Sequence, residues 1–245
     1  MGRMITDANE AAAALKASVA RAGRVVFFGG AGVSTASGIP DFRSPTGLYS
    51  QKFAYPPETM LSHSFYETHT EEFFDFYRSR MIAVDAKPCQ AHVKLAELEA
   101  QGKVTDVVTQ NIDGLHQLAG SKRVWELHGS VHRNICRRCG AVYSAEWVLG
   151  TTGEPHCEKC GGRVKPDVVL YEESLDEQVI TGAISAIAFA DLLIVGGTSL
   201  VVYPAAGLLQ YFQGDELVIC NLEPTKQDSS ADLVLACDIA KAFDF

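Results

Sequence analysis

Short runs in which consecutive residues, rather than alternate ones, are apolar do most to restrict what this 245-residue chain can fold into. Arg24-Val25-Val26-Phe27-Phe28 is the first, and comparable runs lie at 104–108, 124–127, 167–171, 192–195 and 217–220. A strand that is apolar on both faces has to be covered on both. An alanine-rich stretch at 8–21, with Leu15 and Val19 four apart and Gly23 behind it, reads as an opening helix, and helical stretches return at 91–100, 175–189 and 205–211. This alternation predicts an α/β fold, a Rossmann-like doubly wound parallel sheet.

Two segments break the alternation. Residues 44–86 are rich in aromatics, Tyr49, Phe53, Tyr55, Phe65 and Phe73 among them, and suggest a helical insertion. Residues 134–165 hold Cys136-Arg-Arg-Cys139, seventeen intervening residues, and Cys157-Glu-Lys-Cys160, the spacing of a tetrahedral zinc ribbon. Four thiolates close the coordination sphere, so this zinc is expected to be structural, with His132 and His156 superfluous as ligands. Arg133, Arg137, Arg138, Lys159, Arg163 and Lys165 surround the cysteines and are expected to offset their charge. Both insertions leave the sheet from its loop side, so they are expected to join as a small helical plus zinc-binding domain, 44–86 and 134–165. The large domain then comprises 1–43, 87–133 and 166–245.

Bulk properties exclude several classes. A net charge of -9 argues against nucleic-acid binding through a broad basic face, although the arginines near the cysteines keep a zinc-ribbon nucleic-acid module as an alternative. No run approaches the roughly 18 apolar residues of a membrane span. Asp7, Glu10 and Lys16 interrupt the N-terminal alanines, unlike the core of a secretory signal. Seven cysteines, four of them in C-x-x-C pairs, fit metal binding in a reducing compartment, and a cytoplasmic protein is expected. Oligomeric state is not written in the sequence, and a monomer is the working expectation.

After the first strand the chain reads Gly30-Ala31-Gly32-Val33-Ser34-Thr35-Ala36-Ser37-Gly38-Ile39-Pro40-Asp41-Phe42-Arg43. Glycines behind a strand let backbone approach a pyrophosphate, though a strand-to-helix turn can also use them for packing. The whole string resembles the signature of the sirtuins, the NAD-dependent protein-lysine deacylases, here of bacterial type. Further segments match in order: Thr109-Gln110-Asn111-Ile112-Asp113-Gly114-Leu115-His116, Glu126-Leu127-His128-Gly129, the two cysteine pairs, Gly197-Thr198-Ser199-Leu200-Val201-Val202-Tyr203-Pro204 and Asn221-Leu222-Glu223.

That resemblance implies an NAD-dependent protein-lysine deacetylase whose substrates are acetylated proteins or peptides and whose products are nicotinamide and O-acetyl-ADP-ribose. It implies NAD+ as co-substrate and Zn2+ as structural metal. His128 occupies the general-base position, behind a strand and with an imidazole that titrates near neutrality; Asn111 and Asp113 join it as candidate catalytic residues. Ala31, Gly32, Thr35, Asp41, Phe42 and Arg43 fall at cofactor positions around the pyrophosphate and reactive ribose. Gln110 and Asn111 match ribose contacts, and Ile112 and Asp113 match the nicotinamide pocket. On the adenosine side lie Gly197, Thr198, Ser199, Asn221, Asp238 and Ile239. Asp113 also reads as a helix N-cap before Leu115. Residues 44–55 resemble the family's mobile cofactor loop.

Substrate peptides of the family add as a strand, and the matching positions are Val169, Tyr171, Glu172, Leu200, Val201 and Val202. Many sirtuins have Phe-Gly-Glu where this chain has Tyr171-Glu172-Glu173. The added carboxylate could favour basic peptides. Tyr77-Arg78-Ser79-Arg80 also contains the Tyr-x-x-Arg spacing of succinyl- and malonyl-removing sirtuins. Aligning from Lys87-Pro88 instead puts Phe74 and Tyr77 at those positions and leaves an apolar tunnel, so desuccinylation stands as the alternative to deacetylation. A dehydrogenase would need a G-x-G-x-x-G fingerprint that the chain does not match.

Overall fold

The computed structural model describes residues 2–45 and 47–245; Thr46, within the expected cofactor loop, lies outside them. The chain opens with β1 (Arg3–Ile5), α1 (Ala8–Arg21) and β2 (Val25–Gly29), passes through α2 (Pro57–Met60), α3 (His63–Thr68) and α4 (Thr70–Phe76), and resumes with α5 (Gln90–Ala100), β3 (Val104–Thr109), α6 (Leu115–Ala119) and β4 (Val124–Glu126). Next come β5 (Gly129–Cys136), β6 (Val142–Tyr143), α7 (Ala145–Leu149) and β7 (Val164–Val168). The chain closes with α8 (Glu177–Ala188), β8 (Leu192–Gly196), β9 (Glu216–Cys220), β10 (Leu233–Leu235) and α9 (Ile239–Ala242).

Seven strands form one sheet in the order β1-β10-β9-β8-β2-β3-β4, with every pairing parallel. The consecutive apolar runs explain it. In β2, Val25 and Phe27 enter one buried cluster with Leu15, Leu95 and Phe243, while Val26 and Phe28 enter another with Ile187, Leu193 and Ile219. Each face of the strand is thus covered, and Asp7 caps α1 on one of the covering layers by accepting from the Glu10 amide at 2.9 Å.

The run at 167–171 does not join this sheet. β7 instead pairs antiparallel with β5, which also takes β6, in a separate three-stranded sheet. Tyr171 makes an isolated bridge to Ser62. An apolar run says that a strand is covered, not which sheet covers it. The helical expectation at 205–211 is met by a 3-10 coil, Ala205–Tyr211.

The helical insertion packs against the second sheet and α7: Phe65, Tyr66, Phe73, Phe74 and Tyr77 share a core with Val131, Val148, Val168 and Leu170. β5 runs across the expected boundary at 133/134, and β7 across that at 165/166. Among the described residues no helix is long and apolar enough to cross a membrane.

Candidate active site at the strand ends

From the centre of the sheet, β2, β3 and β4 step one way and β8, β9 and β10 the other. The crevice between the loops after β2 and β8 is therefore the topological switch point, where α/β sheets bind ligands. The amides of Gly30 and Gly32 donate to the carbonyls of Gly196 (3.1 Å) and Gly197 (2.8 Å). A β-carbon on Gly32 would sit 2.8 Å from Gly197 Cα, and one on Gly197, at φ +59, would sit 2.4 Å from Val33 N. The glycines are thus needed first for packing loop on loop. That packing leaves two short turns, Ala31–Val33 and Thr35–Ser37, facing the crevice; Thr35 Oγ1 donates to Gly32 O at 3.0 Å.

The loop after β3 meets the glycine loop through Ser34. Its hydroxyl donates to Asp113 Oδ2 at 2.6 Å and accepts from Asn111 Nδ2 at 3.1 Å. Ser34 is buried, and nothing in the sequence pattern marks it out. Asp113 Oδ1 takes the Leu115 amide at 2.9 Å from one residue before the N-cap, Gly114, so one carboxylate both binds the first amide of α6 and holds the glycine loop. Gln110 Nε2 reaches Thr198 Oγ1 at 3.1 Å and bridges the loops after β3 and β8, while Ile112 packs in the small-domain core.

His128 follows β4 by two residues, and its Nδ1–H donates to the carbonyl of Gln110 at 2.8 Å. Since a carbonyl can only accept, the neutral ring has its free lone pair on Nε2. Burial holds its pKa below the usual histidine value, with the Gln110 bond pulling the other way. Gly129, at φ +74, turns the chain straight into β5; a β-carbon there would lie 2.0 Å from Asp167 O. His116 lies second in α6 and is buried, its ring 4.6 Å from that of the equally buried His92.

Asp41, Phe42 and Arg43 begin a self-contained turn. Asp41 Oδ1 accepts from the Ser44 amide (2.9 Å), Asp41 O from Leu48 N (2.7 Å) and Phe42 O from Tyr49 N (2.8 Å). Phe42 meets the Tyr49 ring edge-on at 5.7 Å, and the Arg43 guanidinium lies over the same ring at 5.2 Å.

On the other side, Thr198 Oγ1 accepts from Leu200 N at 3.2 Å, and Ser199 is exposed beside it. Asn221 spends its side-chain amide on Glu223 O at 2.7 Å. Asp238 caps α9 through Ala240 N at 2.7 Å, and Ile239 is buried in the core next to Gly196. These last two positions carry structural work beside any contact with a ligand.

The segment expected to face a peptide is partly committed. Val169 N donates to His128 O, and Tyr171 N and O pair with Leu61 O and His63 N, each at 3.0 Å. Glu172 adopts φ 75, the conformation in which glycine is at ease, and its carboxylate accepts from Ser64 N (2.8 Å) and Ser64 Oγ (3.0 Å). That carboxylate is held against α3 by two uncharged donors, which fixes the place of its charge without neutralising it. Across the crevice, Leu200 is buried, Val202 half-buried and Val201 exposed.

Cys136, Cys139, Cys157 and Cys160 place their sulfurs within 4.8 Å of one another, with Cys136–Cys160 at 3.5 Å and Cys139–Cys157 at 3.6 Å. Tetrahedral zinc with thiolates at about 2.3 Å asks for sulfur separations near 3.8 Å, so the four fit a structural zinc ion. Gly140 and Gly161, at φ +71 and +68, close equivalent turns by donating to Cys136 O (3.0 Å) and Cys157 O (2.8 Å). The surrounding cations mostly do something other than offset the thiolates. Arg137 and Arg163 pair with Glu67, Arg163 also with Glu154, Arg133 with Glu126 and Asp167, and Lys165 with Glu173. They tie the cysteine segment to its neighbours and leave little of a free basic face.

Tyr77 is buried, stacked on Phe73 and in edge contact with Phe74, whereas Arg80 is exposed over Phe53. The two do not converge on a shared anion.

A family described as the Sir2 family matches residues 30–204. The chain is 60% identical to an NAD-dependent protein deacetylase of Clostridium acetobutylicum, over 94% of this chain and 95% of that one. It is 46% identical to one of Staphylococcus aureus, over 92% and 93%. A solved Sir2 with deacetylated p53 peptide and 3'-O-acetyl-ADP-ribose superposes with TM-score 0.87 at 38% identity, over 94% of this chain and 95% of that one. A Sir2–p53 peptide–NAD+ structure gives 0.82 at 39%, covering 94% of both.

Proposed function

The chain belongs to the Sir2 family, and on that premise we propose that it removes acetyl groups from protein lysines with His128 as its base. It is an NAD+-dependent protein deacetylase of the bacterial sirtuin type, with acetylated proteins or peptides as substrates. NAD+, when bound, supplies the ribose carbon that nicotinamide leaves and the hydroxyl that receives the acetyl group.

The geometry at the switch point fits that co-substrate. Ala31, Gly32 and Thr35 present short-turn backbone toward the pyrophosphate. Arg43 adds a positive charge on a turn shaped by Asp41, and Phe42 keeps water from the ribose carbon. Gln110 and Asn111 hold the ribose, and Ile112 and Asp113 hold the carboxamide, with Ser34 locking Asn111 and Asp113 to the glycine loop. Gly197, Thr198, Ser199, Asn221, Asp238 and Ile239 border the adenosine.

One observation carries the reading: the Gln110 carbonyl takes Nδ1–H of His128 at 2.8 Å, so Nε2 is the nitrogen left to accept a proton from a ribose hydroxyl. Val169 and Tyr171, with Glu172, wall one side of the peptide groove and Leu200, Val201 and Val202 the other. The buried Tyr77 favours acetyl over acidic acyl groups. We draw the small domain's boundaries at the start of β5 and the end of β7, and place the protein in the cytoplasm, where thiolate ligands stay reduced.

Incubation with an acetyl-lysine peptide and NAD+ should release nicotinamide and O-acetyl-ADP-ribose. Full activity in His128→Ala would remove the base assignment, and formation of NADH would replace the reaction class.

A further inference from the structure

Two of this chain's residues depart from the Phe-Gly-Glu pattern of many sirtuins, and both make contacts that phenylalanine and glycine could not. Glu172 binds Ser64 of α3. Tyr171 adds a hydroxyl, and that hydroxyl lies 2.7 Å from the hydroxyl of Tyr49. Tyr49 belongs to the turn that carries Phe42 and Arg43. Its ring is edge-on to Phe42 and under the Arg43 guanidinium, and its amide donates to Phe42 O.

The bonds from Leu48 N to Asp41 O and from Tyr49 N to Phe42 O shape the turn from within, whereas the Tyr49 hydroxyl reaches across to the segment behind β7. At its far end Tyr171 is anchored by backbone bonds to Leu61 and His63. A backbone bridge, two hydroxyls and two rings thus lead from the helical insertion to Phe42 and Arg43.

We propose that Tyr49 and Tyr171 form a positioning pair that holds Phe42 and Arg43 over the bound dinucleotide. This rests on the reading of Asp41, Phe42 and Arg43, with the loop 44–55, as cofactor-binding. Burial and the Tyr171 hydrogen bond push the Tyr49 pKa well above the usual tyrosine range, so Tyr49 keeps its proton at neutral pH. Neither ring touches the reacting atoms in this scheme. Their effect is on how long the turn stays closed, which NAD+ reads as affinity and which chemistry on an already bound complex does not.

Tyr171→Phe removes one oxygen from a half-exposed ring and leaves the backbone bonds to Leu61 and His63 in place, so folding is not at stake. The experiment measures KM for NAD+ and kcat for wild type, Tyr171→Phe, Tyr49→Phe and the double variant on one acetyl-lysine peptide. Each single variant is expected to raise KM for NAD+ by about 2- to 10-fold, the range of one neutral hydrogen bond, and to change kcat by a smaller factor than KM. Since both singles delete the same bond, the double variant should be no worse than either. Unchanged KM in Tyr171→Phe, or additive losses in the double variant, would overturn the pair. An equal fall in kcat and thermal midpoint with KM unmoved would make the contact merely structural and overturn it too. Absence of NAD+-dependent turnover in the wild type is a different failure, that of the deacetylase reading itself.

Discussion

Nδ1 of His128 and the carbonyl of Gln110 are 2.8 Å apart, so the loop after β3 fixes the tautomer of the residue that follows β4. Burial also lowers the histidine's pKa. A general base must be neutral, and a lowered pKa keeps it neutral to more acidic pH. The acid limb of kcat/KM is therefore expected to have its midpoint below the ordinary histidine value of about 6.5. Rates on an acetyl peptide from pH 5 to 8 check this, and a midpoint at or above 6.5 would contradict it. His128→Ala should lose about 10²- to 10⁴-fold in kcat, the usual worth of general base catalysis.

Gly129→Ala tests the link between base and strand. The added methyl would lie 2.0 Å from Asp167 O at a residue with φ +74, so β5 and β7 would have to part at the point where His128 is held. A cost above about 1 kcal/mol in chemical denaturation is expected, together with lost activity. Wild-type behaviour in both would mean that the turn relaxes freely.

Legibility followed the kind of signal each residue leaves. β2, β3, β8 and β9 stood out because both faces of each are buried, and the cysteine turns stood out because spacing alone specifies them. β1 and β10 are three residues each, too short to show a period. The 167–171 run was assigned to the wrong sheet because its partner β5 has only Val131, Ile135 and Cys136 as apolar markers. Ser34 was passed over since a serine in a glycine loop has no pattern of its own; only its bonds to Asn111 and Asp113, 77 and 79 positions away, disclose it. The arginines near the cysteines were read by sequence proximity, but Arg137 and Arg163 answer to Glu67, 70 and 96 positions upstream. Long-range pairing is what a single sequence hides.

Zinc should be required for the cleft, not for the chemistry. β5 runs from Gly129, next to His128, to the ligand Cys136, and β7 returns from Val164 to Val168, next to Val169. Stripping the metal with a chelator, or Cys139→Ser, is expected to lower thermal stability and deacetylation together, with one zinc per chain lost by elemental analysis. Full turnover in a zinc-free preparation would show the cleft to be independent of the metal.

Acid should destabilise the protein through His92 and His116. Burial lowers the pKa of His92 to about 4 and that of His116 well below its usual value, and the two rings are 4.6 Å apart. Both are neutral when folded and titrate near 6.5 when unfolded, so the unfolded state takes up protons first. Stability is then intact above about pH 6.5 and falls on the way down to about pH 4, by up to about 1.4 kcal/mol per pH unit for each histidine. Urea unfolding of wild type and His116→Phe across that window is the measurement. An equally steep loss in the variant would assign the acid sensitivity to other groups.

Acyl preference is the last quantity the structure bears on. An acidic acyl chain needs a cation and a hydroxyl in its tunnel, but Tyr77 is enclosed by Phe73 and Phe74 and Arg80 is exposed over Phe53. Arg80→Ala should therefore leave kcat/KM for acetyl and succinyl peptides in the same ratio as wild type, with acetyl preferred. A wild-type preference for succinyl, erased by Arg80→Ala, would mean that the helix end rearranges around substrate and brings the two residues together. Tyr77→Phe separates the cases further: its hydroxyl is buried with no hydrogen-bond partner, so its loss should not lower stability, and any selective loss on succinyl peptide would place that oxygen in the tunnel.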